Sequence, residues 1–180
     1  MQKNYAVDIC GRTEQLPILQ IDKNLGIAFF NLHGNVELTE YCAAKLAKTV
    51  AGADVILTAE SKGLQLAHCV ARILGHPFYA VARKSKKLYL QNGIETVVQS
   101  ITTAGEQRLY LSQTDAALLK DKKVAILDDV ISTGGSLLGL ERLTALAGGE
   151  VFIKAAVLAE GEAARRTDIA FLAEIPLLPL

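Results

Sequence analysis

The stretch VAILDDVISTGGSL, residues 124–137, constrains the fold of this 180-residue chain more than any other feature. Its first four residues form a continuous apolar run, the mark of a central strand buried on both faces. Two acids follow, Asp128 and Asp129. A turn containing Ser132, Thr133, Gly134, Gly135 and Ser136 then leads into a helical pattern over about 135–147. Open α/β sheets bind ligands at the carboxyl ends of their strands, which is where this turn sits. Small side chains let an anion approach the main chain, and the free N–H groups and dipole of the helix start hold it there. The three hydroxyls add hydrogen bonds. Carboxylates at the same strand end accept from sugar hydroxyls and repel a bare phosphate. The arrangement therefore suits a ribose 5-phosphate, its diol at the acids and its phosphate at the loop.

The rest of the chain alternates short apolar runs with helical stripes. Residues 16–21 and 26–32 read as strands. Thr39 is placed to cap a helix over about 40–50, and VILT at 55–58 reads as a strand. A helix over about 63–74 stops at Gly75. Pro77 opens the strand FYAVAR. Residues 84–107 are polar and lack a helical stripe, as turns or a hairpin would, with LYLS at 109–112 as the return strand. VFIKAAVL and IAFLAEI supply the last strands. This alternation predicts one α/β domain over 1–180, a mostly parallel sheet with helices on both faces.

Composition excludes several classes. Lys plus Arg is 19 and Asp plus Glu is 19, so no dedicated nucleic-acid or anionic-membrane surface is expected. A hydrophobic content of 51% excludes disorder. Cys10, Cys42 and Cys69 are too scattered for a zinc knuckle and fit a reducing compartment. The N-terminus has no apolar signal core, and the apolar tail IAFLAEIPLLPL is too short to span a bilayer. A cytoplasmic protein is expected. There is no GxxxxGK[ST] and no GxGxxG, so neither a Walker A loop nor a dinucleotide fold is supported.

VAILDDVISTGGS resembles the phosphoribosyl-pyrophosphate-binding motif of type I phosphoribosyltransferases. TAESKGLQLA, residues 58–67, resembles that family's pyrophosphate loop. ARKSKK, residues 82–87, resembles the basic segment of the adenine and xanthine phosphoribosyltransferases. The effector domain of the bacterial purine repressor carries similar segments, but it needs a DNA-binding partner domain. Residues 1–37 are too few and too poorly helical to supply one. The resemblance implies transfer of phosphoribose from phosphoribosyl pyrophosphate to a purine nitrogen, with release of pyrophosphate. Mg2+ would be carried mainly by the diphosphate, with no direct protein ligand, and the enzyme would be a homodimer. A non-catalytic phosphoribosyl-pyrophosphate sensor, or an enzyme for xanthine or another base, is the alternative.

Residue by residue, the resemblance makes Asp128 and Asp129 the ribose-binding acids and residues 132–136 the 5-phosphate loop. Glu60, Ser61, Lys62 and Gly63 become the pyrophosphate loop, where family members often hold a non-proline cis peptide. Lys62 would neutralise the leaving group, with Arg83 and Lys84 as a second basic cluster. Lys86 and Lys87 read as a solvated face. Ile131 is placed to contact the ribose or base. Residues 1–37 would include a hood over the base, and 84–107 would be a mobile catalytic loop. Strand alternation points only one of Phe29 and Phe30 inward. Counting from Asp129, Glu160 falls where xanthine-type enzymes place a base-contacting lysine and adenine-type ones an apolar residue. A glutamate accepts rather than donates, which favours an amino-bearing purine, adenine first.

Overall fold

The computed structural model describes residues 3–86, 90, 92–99 and 106–179. Strands β1 (Asn4–Ile9), β2 (Arg12–Asp22) and β3 (Leu25–Ala28) form antiparallel hairpins. Helix α1 (Val36–Thr49), strand β4 (Val55–Ala59), helix α2 (Leu64–Leu74) and the short strand β5 (Ala80–Ala82) follow. A hairpin of β6 (Ile94–Gln99) and β7 (Glu106–Leu111) precedes helix α3 (Gln113–Leu119). The chain closes with β8 (Lys123–Ile131), α4 (Gly135–Leu146), β9 (Glu150–Glu160), a 3₁₀ turn (Gly161–Arg165), β10 (Ala170–Ile175) and β11 (Leu177–Pro179).

The main sheet is parallel throughout, in the order β10-β9-β8-β4-β5. Strand β8 lies at its centre, as its continuous apolar run predicts. Alternation sends its residues to two cores. Ala125 and Leu127 pack with α1, α2 and the terminal strands, while Val124 and Ile126 pack with α4 and the β7–α3 segment. Burial on both faces confines charge on this strand to its two ends, Lys123 at the exposed start and Asp128 and Asp129 toward the carboxyl end.

A second, antiparallel sheet has the order β1-β2-β3-β11, so the last strand joins the first three through the pairs Leu177–Ile27 and Pro179–Leu25. The expected N-terminal element is thus built from both ends of the chain.

Local chemistry moves two of the expected boundaries and adds one helix. Asn35, not Thr39, caps α1: its Oδ1 accepts from the Leu38 amide at 3.0 Å. Thr39 is buried in the first turn and donates to the Asn35 carbonyl. The strand expected over 26–32 ends at Ala28. Helix α3 was not expected at all, although Ser112 caps it by accepting from the Asp115 amide at 2.9 Å. The segment expected to be mobile, 84–107, lies partly outside the described residues, and so does Lys87. Its described part includes β6 and the first residues of β7, which pair antiparallel. Backbone bonds between Arg83 and Tyr110 hook β7 to the chain just past β5.

Candidate functional site

Four adjacent parallel strands, β9, β8, β4 and β5, deliver the predicted site residues at their carboxyl ends. Glu160 ends β9, and Asp128, Asp129 and Ile131 end β8. Glu60, Ser61, Lys62 and Gly63 leave β4, and Arg83 and Lys84 leave β5. Because the strands run the same way, one edge of the sheet collects them all.

Two cavities open along that edge. The larger, about 290 Å3, is lined by Asp128, Asp129, Ser61, Lys62, Lys84 and Glu160 from the sheet edge, with Ile27, Phe29, Phe30 and Ile175 among its apolar walls. The smaller, about 130 Å3, is lined by Ile131, Ser132, Thr133, Gly134, Gly135 and Ser136 together with Asp128. Asp128, Ser132 and Ser136 line both, so the cavities meet at the acidic strand end.

The smaller cavity has the chemistry of an anion cradle. Gly134 is the N-cap of α4 with φ +80°, a left-handed conformation that favours glycine. No side chain caps this helix. Its first-turn N–H groups and its dipole are left for a ligand. Ile131 lines this cradle from the α4 core rather than lining the larger cavity.

The two acids have different surroundings. Asp129 is 4% exposed, and its Oδ2 stands 2.9 Å from Lys62 Nζ. Lys62 also donates to the Phe30 carbonyl at 2.9 Å and lies over the Phe29 ring at 5.2 Å. Its ammonium therefore ties the acid to the segment just past β3. Asp128 is pushed up to about 7 by burial first, then by the neighbouring Asp129 charge. Its Oδ1 accepts from the Asp129 amide at 2.9 Å, with the Ser61 hydroxyl at 3.5 Å. Gly63 packs beneath it. A Cβ there would stand 3.2 Å from Asp128 Oδ1 and 3.1 Å from the buried Thr58 hydroxyl. Close approach of α2 to the acid thus favours a glycine, since a Cβ would press on both groups.

Arg83 is paired with Glu60 at 3.1 Å, so these two predicted contacts hold each other. All described peptide bonds, the 59–63 loop included, are trans. Of the two phenylalanines, Phe30 is buried in the core and Phe29 is only partly buried beside the cavity. One residue absent from the motif reading also reaches the site. Arg166 Nη1 would lie 2.6 Å from a Cβ on Gly134.

Residues 36–173 match the family model described as phosphoribosyl transferase domain. The chain is 26% identical over 150 residues to the xanthine phosphoribosyltransferase of Brevibacillus brevis, covering 82% of this chain and 73% of that protein. It is 31% identical over 137 residues to the hypoxanthine/guanine phosphoribosyltransferase of Methanosarcina mazei, covering 76% and 67%. With the Methanococcus vannielii enzyme of the same name it shares 38% over 98 residues, 54% of this chain and 49% of that one. The matches thus span from about half to three-quarters of these relatives. Among solved structures, adenine phosphoribosyltransferase from Thermoanaerobacter pseudethanolicus superposes with a TM-score of 0.68 at 22% identity, over 80% of this chain and 84% of that one. The Giardia lamblia enzyme complexed with 9-deazaadenine gives 0.71 at 18%, over 89% and 93%. At these identities the structures speak to the fold.

Proposed function

The chain belongs to the phosphoribosyl transferase domain family, and on that premise we propose that it transfers phosphoribose from phosphoribosyl pyrophosphate to a purine base, adenine first. The observation that carries this reading is the join of the two cavities at Asp128. A phosphate in the cradle and a base beneath Phe29 would place the sugar between them, at the acids.

Bond breaking at the sugar C1 leaves positive charge on the ring and negative charge on the departing pyrophosphate. Carboxylates aimed at the sugar stabilise the first. Lys62 and Lys84, both at the cavity, stabilise the second. For Lys62 this requires leaving Asp129, whose carboxylate is then free to accept from the ribose diol. Among the described residues no three or more His, Cys, Asp or Glu side chains gather as a metal site. A Mg2+ would be carried mainly on the diphosphate, with Asp128 and Asp129 as the carboxylates that would help hold the metal-bound ligand. Such an ion supplies charge neutralisation on the leaving pyrophosphate.

Base choice rests on Glu160, which lines the larger cavity with Phe29 and Ile175. Its carboxylate can accept from an exocyclic amino group or a ring N–H and cannot donate to a carbonyl. A buried acceptor left unpaired rejects the wrong base. The names of the curated relatives favour a second reading, a 6-oxopurine substrate. The purified protein with phosphoribosyl pyrophosphate, Mg2+ and a panel of bases, followed by pyrophosphate release, separates the two. Adenine should outcompete hypoxanthine and xanthine. Glu160→Lys should shift preference toward 6-oxo bases by about 1–3 kcal/mol. A parent that prefers xanthine, or an unchanged ranking in the variant, rejects Glu160 as the base contact. Absence of turnover with every base, alongside tight phosphoribosyl pyrophosphate binding, identifies a sensor instead.

A further inference from the structure

The anion cradle has a cation seated on its central glycine. Arg166 follows the 3₁₀ turn after β9, and its amide donates to the Ala163 carbonyl at 3.1 Å. Two of its three guanidinium nitrogens are committed. Nε donates to Asp168 Oδ1 at 2.9 Å and Nη2 to Asp168 Oδ2 at 2.7 Å. This bidentate pair fixes the plane of the fork. The third nitrogen, Nη1, is the atom nearest to the Cβ position of Gly134, at 2.6 Å. Asp168 is itself held by Lys154, which also donates to Glu141 on α4. The arginine is therefore aimed by groups anchored to the same helix whose N-terminus forms the cradle. Those partners comprise two anions and one cation, so the four-residue cluster is neutral and, among the described residues, the outer guanidinium nitrogen makes none of these bonds.

A phosphate in the cradle lies near Asp128, whose charge opposes it. Main-chain N–H groups carry partial charges only. A planar guanidinium at the rim supplies a full positive charge with donors matched to phosphate oxygens. We propose that Arg166 is a ligand of the sugar 5-phosphate, donating from Nη1 to a phosphate oxygen in the cradle, with Asp168 as its positioning residue. The proposal rests on the reading of that cradle as a sugar-phosphate site.

Calorimetric titration of the full chain with ribose 5-phosphate, and separately with pyrophosphate and Mg2+, tests it. Arg166→Gln should weaken ribose 5-phosphate by about tenfold to a hundredfold, the range for losing a charged hydrogen bond. Its pyrophosphate affinity should stay within about twofold of the parent, since pyrophosphate is read by other residues. Arg166→Lys keeps the charge without the fork and should fall between the two. Asp168→Asn should weaken ribose 5-phosphate less than Arg166→Gln does. Arg165→Gln removes a neighbouring surface arginine, paired with Glu162, and should bind like the parent. Equal ribose 5-phosphate affinity in parent and Arg166→Gln, or equal loss of both ligands, overturns the assignment. If Arg166→Gln fails to fold, Arg166→Lys decides: parent-like affinity overturns the proposal and selective weakening supports it. A parent that binds no ribose 5-phosphate overturns the sugar-phosphate reading and this inference together.

Discussion

Replacing Asp128 and Asp129 together by asparagine is expected to abolish productive sugar binding while leaving a folded protein. Each amide fits its carboxylate's place and keeps an acceptor oxygen, so the Asp129 amide can still donate to residue 128 as it now does at 2.9 Å. What is lost is charge. A hydrogen bond to a charged group contributes about 1.5–3 kcal/mol, so losing two lowers ribose 5-phosphate affinity by roughly a hundredfold to ten-thousandfold. Turnover should fall further, because the carboxylates act more strongly on the cationic sugar than on the ground state. Full affinity and turnover in the double variant would reject the acids as the ribose site.

The two single variants should differ in stability, because the acids have different surroundings. Asp128 is raised to about 7 by burial and by Asp129. An acid whose folded value exceeds its unfolded one, about 3.9, lets the folded state hold an extra proton between those limits. The contribution of Asp128 to the stability of the ligand-free protein should therefore fall as pH rises from about 4 to about 7 and carry the full penalty above that. Asp128→Asn removes the penalty. Its melting temperature should exceed the parent's at pH 8 and converge with it near pH 4. Asp129→Asn breaks the ion pair with Lys62 and should show no such gain. Thermal scans of both variants across that range check the sign. A stability difference between parent and Asp128→Asn that stays constant from pH 4 to 8 would mean that Asp128 ionises freely.

This division of labour explains what could be read ahead of the structure. The acids, the small-residue turn and the loop after β4 each sit at a local change from strand to loop, and such changes show in the residue pattern. Parallel strands then bring those loops to one edge without further information. The β1–β2 hairpin was not read from the sequence, although its pattern is local. Tyr5, Val7 and Ile9 alternate, and Cys10 and Gly11 take the positive φ values of a two-residue turn. Strand β11 was not legible, because its pairing joins Leu177 to Ile27 across most of the chain. The partners of Lys62 were equally hidden: a lysine in a polar loop carries no mark of reaching Asp129 and the Phe30 carbonyl. Arg166 is the sharpest case. Beside Arg165 in sequence it looks like half of a surface charge pair, and only the folded chain separates them. Arg165 pairs with Glu162 at the surface, while Arg166 lies on the cradle glycine.

Gly134→Val is expected to remove phosphate-dependent stabilisation almost completely. Gly134 holds φ +80° at the start of α4, where a β-branched side chain is strongly disfavoured. A left-handed conformation costs an L-residue about 1–2 kcal/mol, so the ligand-free protein should melt only several degrees lower. The new Cβ would also stand 2.6 Å from Arg166 Nη1. That is the far end of a flexible side chain, so the arginine moves and the helix stays. Relaxation of the turn redirects the N–H groups that hold the anion, and the displaced guanidinium leaves the rim. At a ribose 5-phosphate concentration of 100 times Kd, the parent should gain about 2.7 kcal/mol of stability, and the variant close to none. Gly134→Ala, made in the parent and in Arg166→Gln, separates the two causes. If displacement of the arginine dominates, alanine should cost ribose 5-phosphate affinity in the parent and little more in Arg166→Gln. If backbone strain dominates, the cost should be the same in both. Ligand-induced stabilisation of Gly134→Val equal to the parent's would show that the phosphate does not sit in this turn.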